Sequence, residues 1–178
     1  MLLRKILGIG QSTPAPTRSA RLVEAIRTRL GSLPGARAEF VAAFAGLLVR
    51  VAHADLEVSD AERTTLRELI RDHVGLNDAE ADAVAAITTE QATGLVGIDY
   101  SALTKAFNEH GTVTEKENLI DCLYAVAAAG DSVSVVEDEE VRNVARALGL
   151  SHDQVITIRS RYKEQLAVIQ ALREQRES

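Results

Sequence analysis

Apolar residues recur along this chain at intervals of three and four, the spacing that places them on one face of an α-helix. This pattern predicts helices over residues 19–30, 37–54, 59–75, 77–93, 99–108, 114–127, 134–148 and 152–175. The segment 37–54 is apolar nearly all round, which is typical of a helix surrounded by others. No stretch shows the alternation of a convincing strand, so we predict an all-α bundle of seven or eight helices.

One part of the pattern occurs twice, 75 residues apart. Aligning residues 44–73 with 119–148 without a gap gives nine identities, well above what unrelated segments share: Leu48/Leu123, Val51/Val126, Ala52/Ala127, Ala54/Ala129, Val58/Val133, Ser59/Ser134, Glu62/Glu137, Arg67/Arg142 and Arg71/Arg146. Each copy is an apolar helix, a short acidic loop and a second helix that opens with Ser-x-x-Glu. We therefore predict two related three-helix repeats, over about 38–88 and 114–165.

The helix starts have a recognisable chemistry. A Ser or Thr three residues before a Glu forms a capping box, in which hydroxyl and carboxylate each accept a hydrogen bond from a free helix amide. Boxes are expected at Ser59 with Glu62, at Ser134 with Glu137 and at Thr114 with Glu117. His73 falls on the apolar stripe of its helix, and we expect it in the core.

Length and composition restrict the remaining classes. The chain has 178 residues, enough for one domain, and we assign residues 1–18 to a proline-containing tail and linker and 19–178 to a single helical domain. A net charge of −6 argues against nucleic-acid binding. The single cysteine, Cys122, excludes an internal disulfide. No apolar run is long enough to span a membrane, so we expect a cytoplasmic protein with at most weak membrane-surface contact through residues 1–9.

The two acidic helix junctions are the candidate sites. Carboxylates cluster at Asp55, Glu57, Asp60 and Glu62 and again at Asp131, Glu137 and Asp138. Such a cluster suits a hard cation, Ca²⁺ or Mg²⁺, and we take Asp55, Glu62, Asp131 and Glu137 as its candidate ligands. Zn²⁺ is less favoured because no second His or Cys accompanies His53. The alternative is purely structural, since acidic residues at helix N-termini cap free amides and complement the helix dipole.

The residues give little reason to expect an enzyme. The sequence contains no nucleophile motif and no glycine-rich phosphate loop. A metal-dependent hydrolase would need two ions about 4 Å apart in one cleft, and no base or arginine cluster accompanies the acidic residues. Catalytic residues are therefore predicted to be none.

The phrase Ala54-Asp-Leu-Glu-Val-Ser-Asp-Ala-Glu62 and its echo, Ala129-Gly-Asp-Ser-Val-Ser-Val-Val-Glu137, resemble the TerB-like (tellurite resistance) family, as does the later Gly-Leu-Ser. The family pattern is Ala-Asp-Gly-x-(Val/Ile)-Ser-x-x-Glu, found twice in an all-helical domain that also occurs in a membrane-anchored co-chaperone. Asp55, Glu62 and Glu137 match the pattern. Leu56 replaces its glycine, and Gly130-Asp131 inverts its Asp-Gly, which displaces Asp131 by one position.

The resemblance implies a non-catalytic module of a bacterial tellurite, metal or general stress response. It would act through contacts with a protein partner, including a second copy of itself, and bind divalent cations at the two junctions. The alternative is a homo-oligomerising structural module without a metal site.

Overall fold

The computed structural model describes residues 18–31, 33–52, 59–95, 101–130 and 132–167. Within these ranges the chain forms eight α-helices and a short 3₁₀ turn. They are α1 (Arg18–Leu30), α2 (Gly35–Ala52), α3 (Asp60–Val74), α4 (Asp78–Leu95), α5 (Ser101–His110), α6 (Val113–Ala128), α7 (Val135–Ala147), α8 (His152–Arg159) and the turn Ser160–Tyr162. The prediction of an all-α bundle is confirmed.

Helix α2 lies at the centre of the bundle. Thirteen of its eighteen residues are buried, because side chains on every face are apolar or small. It contacts α1, α3, α4, α5, α6 and α7. Removing apolar surface from water is favourable, so a helix that is apolar on every side is most stable when other helices cover all of its faces.

The two halves of the chain cross over at the centre. Helices α2 and α6 contact each other, α3 packs on α6 as well as on α2, and α7 packs on α2 as well as on α6. Helices α4 and α8 contact α2 and α6 respectively. Helices α3 and α7 therefore each pack on both central helices, α2 and α6.

The helices of the two halves begin at corresponding residues. Ser59 caps α3 and Ser134 caps α7, each through a complete capping box. Asn77 exchanges the same pair of bonds with Glu80 at the start of α4, and Ser151 does so with Gln154 at α8. The prediction of capping boxes at Ser59/Glu62 and Ser134/Glu137 is confirmed.

The last helix is shorter than the sequence predicts. The pattern indicated a helix over 152–175, but α8 ends at Arg159. The chain then tightens into the 3₁₀ turn, where the Tyr162 ring stacks on Tyr124 with centroids 5.5 Å apart and its hydroxyl donates to the Asp121 carbonyl at 3.0 Å. These two contacts hold the turn against α6.

After the turn, the chain pairs with the loop that precedes α7. The amide of Val133 donates to the Gln165 carbonyl at 2.8 Å, and the Ala167 amide donates to the Val133 carbonyl at 3.0 Å. Val133 and Leu166 thus form an isolated parallel bridge, and both side chains are buried. The end of the predicted helix, residues 168–175, lies outside the described residues.

Two local predictions are wrong. The capping box of α6 joins Thr112 to Glu115, two residues before the predicted pair. The helix is longer with this start, and the Glu117 carboxylate instead accepts a hydrogen bond from Gln154 at 2.7 Å. His73 is exposed rather than in the core. The buried stripe of α3 is Leu66, Ile70 and Val74, so His73 lies about 100° away and only stacks against Phe44.

None of the described helices combines the length and the apolar character that crossing a membrane requires.

Gly46 gives a test of the central packing. A Cβ atom there would lie 3.1 Å from side-chain carbons of both Leu22 and Leu103, since α1 and α5 approach α2 closely at this residue. We expect Gly46→Val to lower the free energy of unfolding by about 1–3 kcal/mol through overpacking. Urea unfolding measures the change. The control is Gly35→Val in the same helix, at an exposed residue whose added Cβ meets only the flexible end of Arg27; this variant should stay within about 0.5 kcal/mol of wild type. Equal effects would contradict close packing at Gly46.

Candidate functional site

Of the four predicted ligands, the structure describes Glu62 and Glu137. Asp55 and Asp131 lie outside the described residues. Glu62 and Glu137 each occupy the third position of a helix, α3 and α7, and both side chains are buried, with 5% and 2% of their surface exposed. Charged carboxylates are almost never buried to this extent unless they are paired or hydrogen-bonded, so their surroundings decide their role.

One oxygen of each glutamate is used by its own capping box. Glu62 Oε2 accepts from the Ser59 amide at 2.6 Å, and Glu137 Oε2 accepts from the Ser134 amide at 2.8 Å. In return, the serine hydroxyls accept from the Glu62 and Glu137 amides at 3.2 and 3.1 Å. These bonds and the positive helix N-terminus compensate part of the cost of burying each charge.

Glu62 also reaches the other half of the chain. A Cβ atom built on Gly130 would lie 3.3 Å from both Cδ and Oε1 of Glu62. The carboxylate of the first junction therefore packs directly against the backbone that leads into the second acidic loop. The sequence pattern did not predict this contact, because Glu62 and Gly130 are far apart in the chain and neither residue type indicates the other.

The described part of the site does not by itself complete a cation site. In the described ranges, no group of three or more His, Cys, Asp or Glu side chains is placed to hold a metal ion. Glu62 and Glu137 have carboxylate oxygens, the type of ligand that Ca²⁺ and Mg²⁺ prefer. The geometry among all four predicted ligands lies outside the described residues.

Asp138, the third acidic residue of the second junction, is instead held by hydrogen bonds and ion pairs within the fold. It accepts a hydrogen bond from the Tyr124 hydroxyl at 2.9 Å and two from Arg159, at 2.7 and 3.0 Å. Arg142 lies near its other side, with Nε 3.6 Å from Oδ2. This network ties α6, α7 and α8 together, and Asp138 is only 7% exposed.

The environment of Asp138 keeps it charged. Burial by itself raises the pKa of this carboxyl, but the hydrogen bonds from Arg159 and Tyr124 and the charge of Arg159 outweigh it, so the pKa lies below its ordinary value of 3.8. The bond to Asp138 raises the pKa of Arg159, and burial followed by the charge of Asp138 raises the pKa of Tyr124. Asp138 is therefore an anion held by the fold.

The first half has no counterpart of this network. At the corresponding positions of α3, α2 and α4 stand Arg63, Val49 and Ala85, where the second half has Asp138, Tyr124 and Arg159. Local sequence patterns do not indicate this network, because the partners lie 14 and 21 residues from Asp138.

Fold and site together define an all-helical domain in which Glu62, at the start of α3, lies against Gly130 of the second half. The family model described as Tellurite resistance protein TerB matches residues 41–160. The chain belongs to the TerB family. Searches of curated proteins and of solved structures gave no significant match.

The contact between the halves can be tested at Gly130. Gly130→Val places side-chain atoms against the Glu62 carboxylate, and we expect a loss of about 1–3 kcal/mol in the free energy of unfolding. Glu62→Ala removes the atoms that would clash, so the two changes together should cost less than the sum of the single changes. A double-mutant cycle by urea unfolding measures this coupling. Strict additivity would contradict the contact.

The Asp138 network predicts a pH dependence. The pKa of Asp138 is lower in the folded protein than in the unfolded chain, so its charge stabilises the fold at pH values well above the ordinary pKa of 3.8. This stabilisation is lost as the pH falls through the lower pKa of the folded state. Asp138→Asn should cost about 1–3 kcal/mol at neutral pH and flatten the acid limb of the stability curve. Urea unfolding from neutral to acid pH measures both effects. Glu139→Gln, an exposed neighbour, is the control, and an unchanged acid limb in Asp138→Asn would contradict the assignment.

Proposed function

We propose that this TerB-family chain is a non-catalytic module of a bacterial tellurite, metal or general stress response. It binds a divalent cation, Ca²⁺ or Mg²⁺, through Asp55, Glu62, Asp131 and Glu137, and it acts through protein contacts. The observation that carries the proposal is the packing of Glu62 against Gly130, which sets a buried carboxylate of the first junction beside the residue that precedes Asp131.

The burial of the two glutamates supports a cation. Both are buried, and each lies at a helix N-terminus, which contributes about half a unit of positive charge. Four carboxylates gathered at one site would repel one another, and a divalent ion offsets repulsion between oxygen ligands. Cation binding would then stabilise the crossing of the two halves, so that the cation and the fold are coupled.

The competing function is a structural, homo-oligomerising module in which these carboxylates serve only as caps. The complete capping boxes favour it, because they already give each glutamate a role in its own helix. The two functions differ in one measurable respect: only a cation site makes the folded state more stable when the cation is added.

Thermal unfolding of EDTA-stripped protein, with and without millimolar Ca²⁺, Mg²⁺ or Zn²⁺, distinguishes them. A ligand that binds only the folded state adds about 2.7 kcal/mol at 100 times its dissociation constant. We expect Ca²⁺ or Mg²⁺ to raise the melting temperature of wild type and to leave the Asp55→Asn/Glu62→Gln variant unchanged.

The matched control is Asp60→Asn, which removes an exposed carboxylate from the first residue of the same helix and is not a proposed ligand. Asp60→Asn should keep the full cation shift. A wild type that responds to no cation would contradict the cation site and favour the structural module.

A further inference from the structure

A surface cavity of about 320 Å³ lies between the N-terminal parts of α7 and α8. Its apolar lining includes Val155 and Leu166, which are buried, and Val135 and Ile156, which are 59% and 49% exposed. These two are among only four large apolar side chains that are exposed in the described part of the chain. The volume is at the lower end for ligand sites, which is enough for one or two apolar side chains.

The charged residues of the cavity are mainly basic. Arg142, Arg159 and His152 line it, and Asp138 is the acidic residue among its lining side chains. Asp138 is engaged by Arg159, Tyr124 and Arg142. The two arginines keep N–H donors beyond those that bond Asp138 and Glu139, and an anionic group is the ligand that complements such donors.

In the first half of the chain, the corresponding surface is covered by ion pairs between its own residues. Counted from the helix caps, Asp60, Asp78 and Asp82 occupy the positions of Val135, His152 and Ile156. Arg67 occupies the position of Arg142 and forms an ion pair with Asp82, and Arg71 pairs with Asp78 at 3.4 Å. In the first half, two carboxylates of α4 thus lie on arginines of α3.

In the second half, the residue at the position of Asp82 is Ile156, so α8 supplies no carboxylate to Arg142 there. Arg142 instead pairs with two residues of its own helix, Glu139 at 2.6 Å and Asp138 at 3.6 Å, and its side chain is 44% exposed. A guanidinium has five N–H donors, more than these two pairs use. The position that holds Asp82 in the first half therefore holds an exposed apolar side chain, Ile156, in the second.

We propose that this cavity binds an acidic segment of a partner protein. An apolar side chain of the segment lies between Val135 and Ile156, and one of its carboxylates bonds Arg142, as Asp82 bonds Arg67 in the first half. The inference rests on the proposed function in one respect, that the chain acts through protein contacts, and it adds the chemistry of the partner. The lining includes none of the four residues that would hold a cation, but it includes Ser134 and Asp138, which adjoin the second junction.

The test is selection from a random, displayed dodecapeptide library on the full-length protein. Enriched peptides should combine aspartate or glutamate with a large apolar residue. Their binding, measured by fluorescence polarisation, should weaken at least about tenfold with Arg142→Gln, since a hydrogen bond between charged groups contributes about 1.5–3 kcal/mol. Val135→Asp and Ile156→Asp, which install the residues of the first half, should weaken it by at least as much through charge repulsion.

Val113→Asp is the matched control. Val113 is also 59% exposed and also follows the capping residue of its helix, but it does not line the cavity. An aspartate at this first helical position suits the helix dipole, as it does at 135, so both variants should fold. Val113→Asp should bind the selected peptides as wild type does, and thermal melts verify that every variant is folded.

Three results would overturn the proposal. One is enrichment no greater on wild type than on Ile156→Asp, or enrichment of basic peptides. Another is a concentration-dependent dimer in sedimentation equilibrium that Ile156→Asp abolishes, which would assign the face to a second copy. The third is peptide binding that appears only in a chain ending at Ala167, which would assign the face to residues 168–178. The cation melt is independent of all three, so a failure here is distinguishable from a failure of the proposed function.

Discussion

The structure depends on the burial of α2 on every face. A helix with thirteen of eighteen residues buried has no side that water can cover without cost, so its neighbours must surround it. Helices α1, α4 and α5 of the described chain cover it together with helices that follow both acidic loops. Small side chains on α2, Gly46 above all, let these neighbours approach closely. The crossing of the two halves is part of this cover, because α6 and α7 of the second half also pack on α2.

Burying charge at such a crossing requires local compensation. Glu62 and Glu137 obtain it from the serine amides and from the positive ends of α3 and α7, whereas Asp138 obtains it from Arg159 and Tyr124. The first kind of compensation comes from residues three positions away. The second comes from two other helices. The capping boxes occur in both halves, whereas Asp138, Arg159 and Tyr124 all belong to the second.

The two halves share the caps and end residues of their helices but differ at their surfaces. Corresponding caps begin α3 and α7, and positive-φ glycines, Gly75 and Gly149, follow their last turns, since only glycine adopts that conformation without strain. Outside these shared positions, the α3–α4 surface is closed by its own ion pairs, whereas the α7–α8 surface presents Val135 and Ile156 beside Arg142. A surface ion pair contributes little to stability, so the α7–α8 surface can present apolar side chains in its place at little cost.

The sequence by itself determined the helices, their capping boxes at Ser59 and Ser134 and the central place of α2, because these depend on residues a few positions apart and on an apolar pattern that one helix reports alone. It also indicated the family. Tertiary structure decided where α8 stops, since Tyr162 stacks on Tyr124 and Val133 bonds Gln165 across the fold. It also decided that Glu62 lies on Gly130 and that Asp138 belongs to Arg159. Each of these is a contact between segments distant in the chain, and local periodicity contains no information on which distant side chains meet.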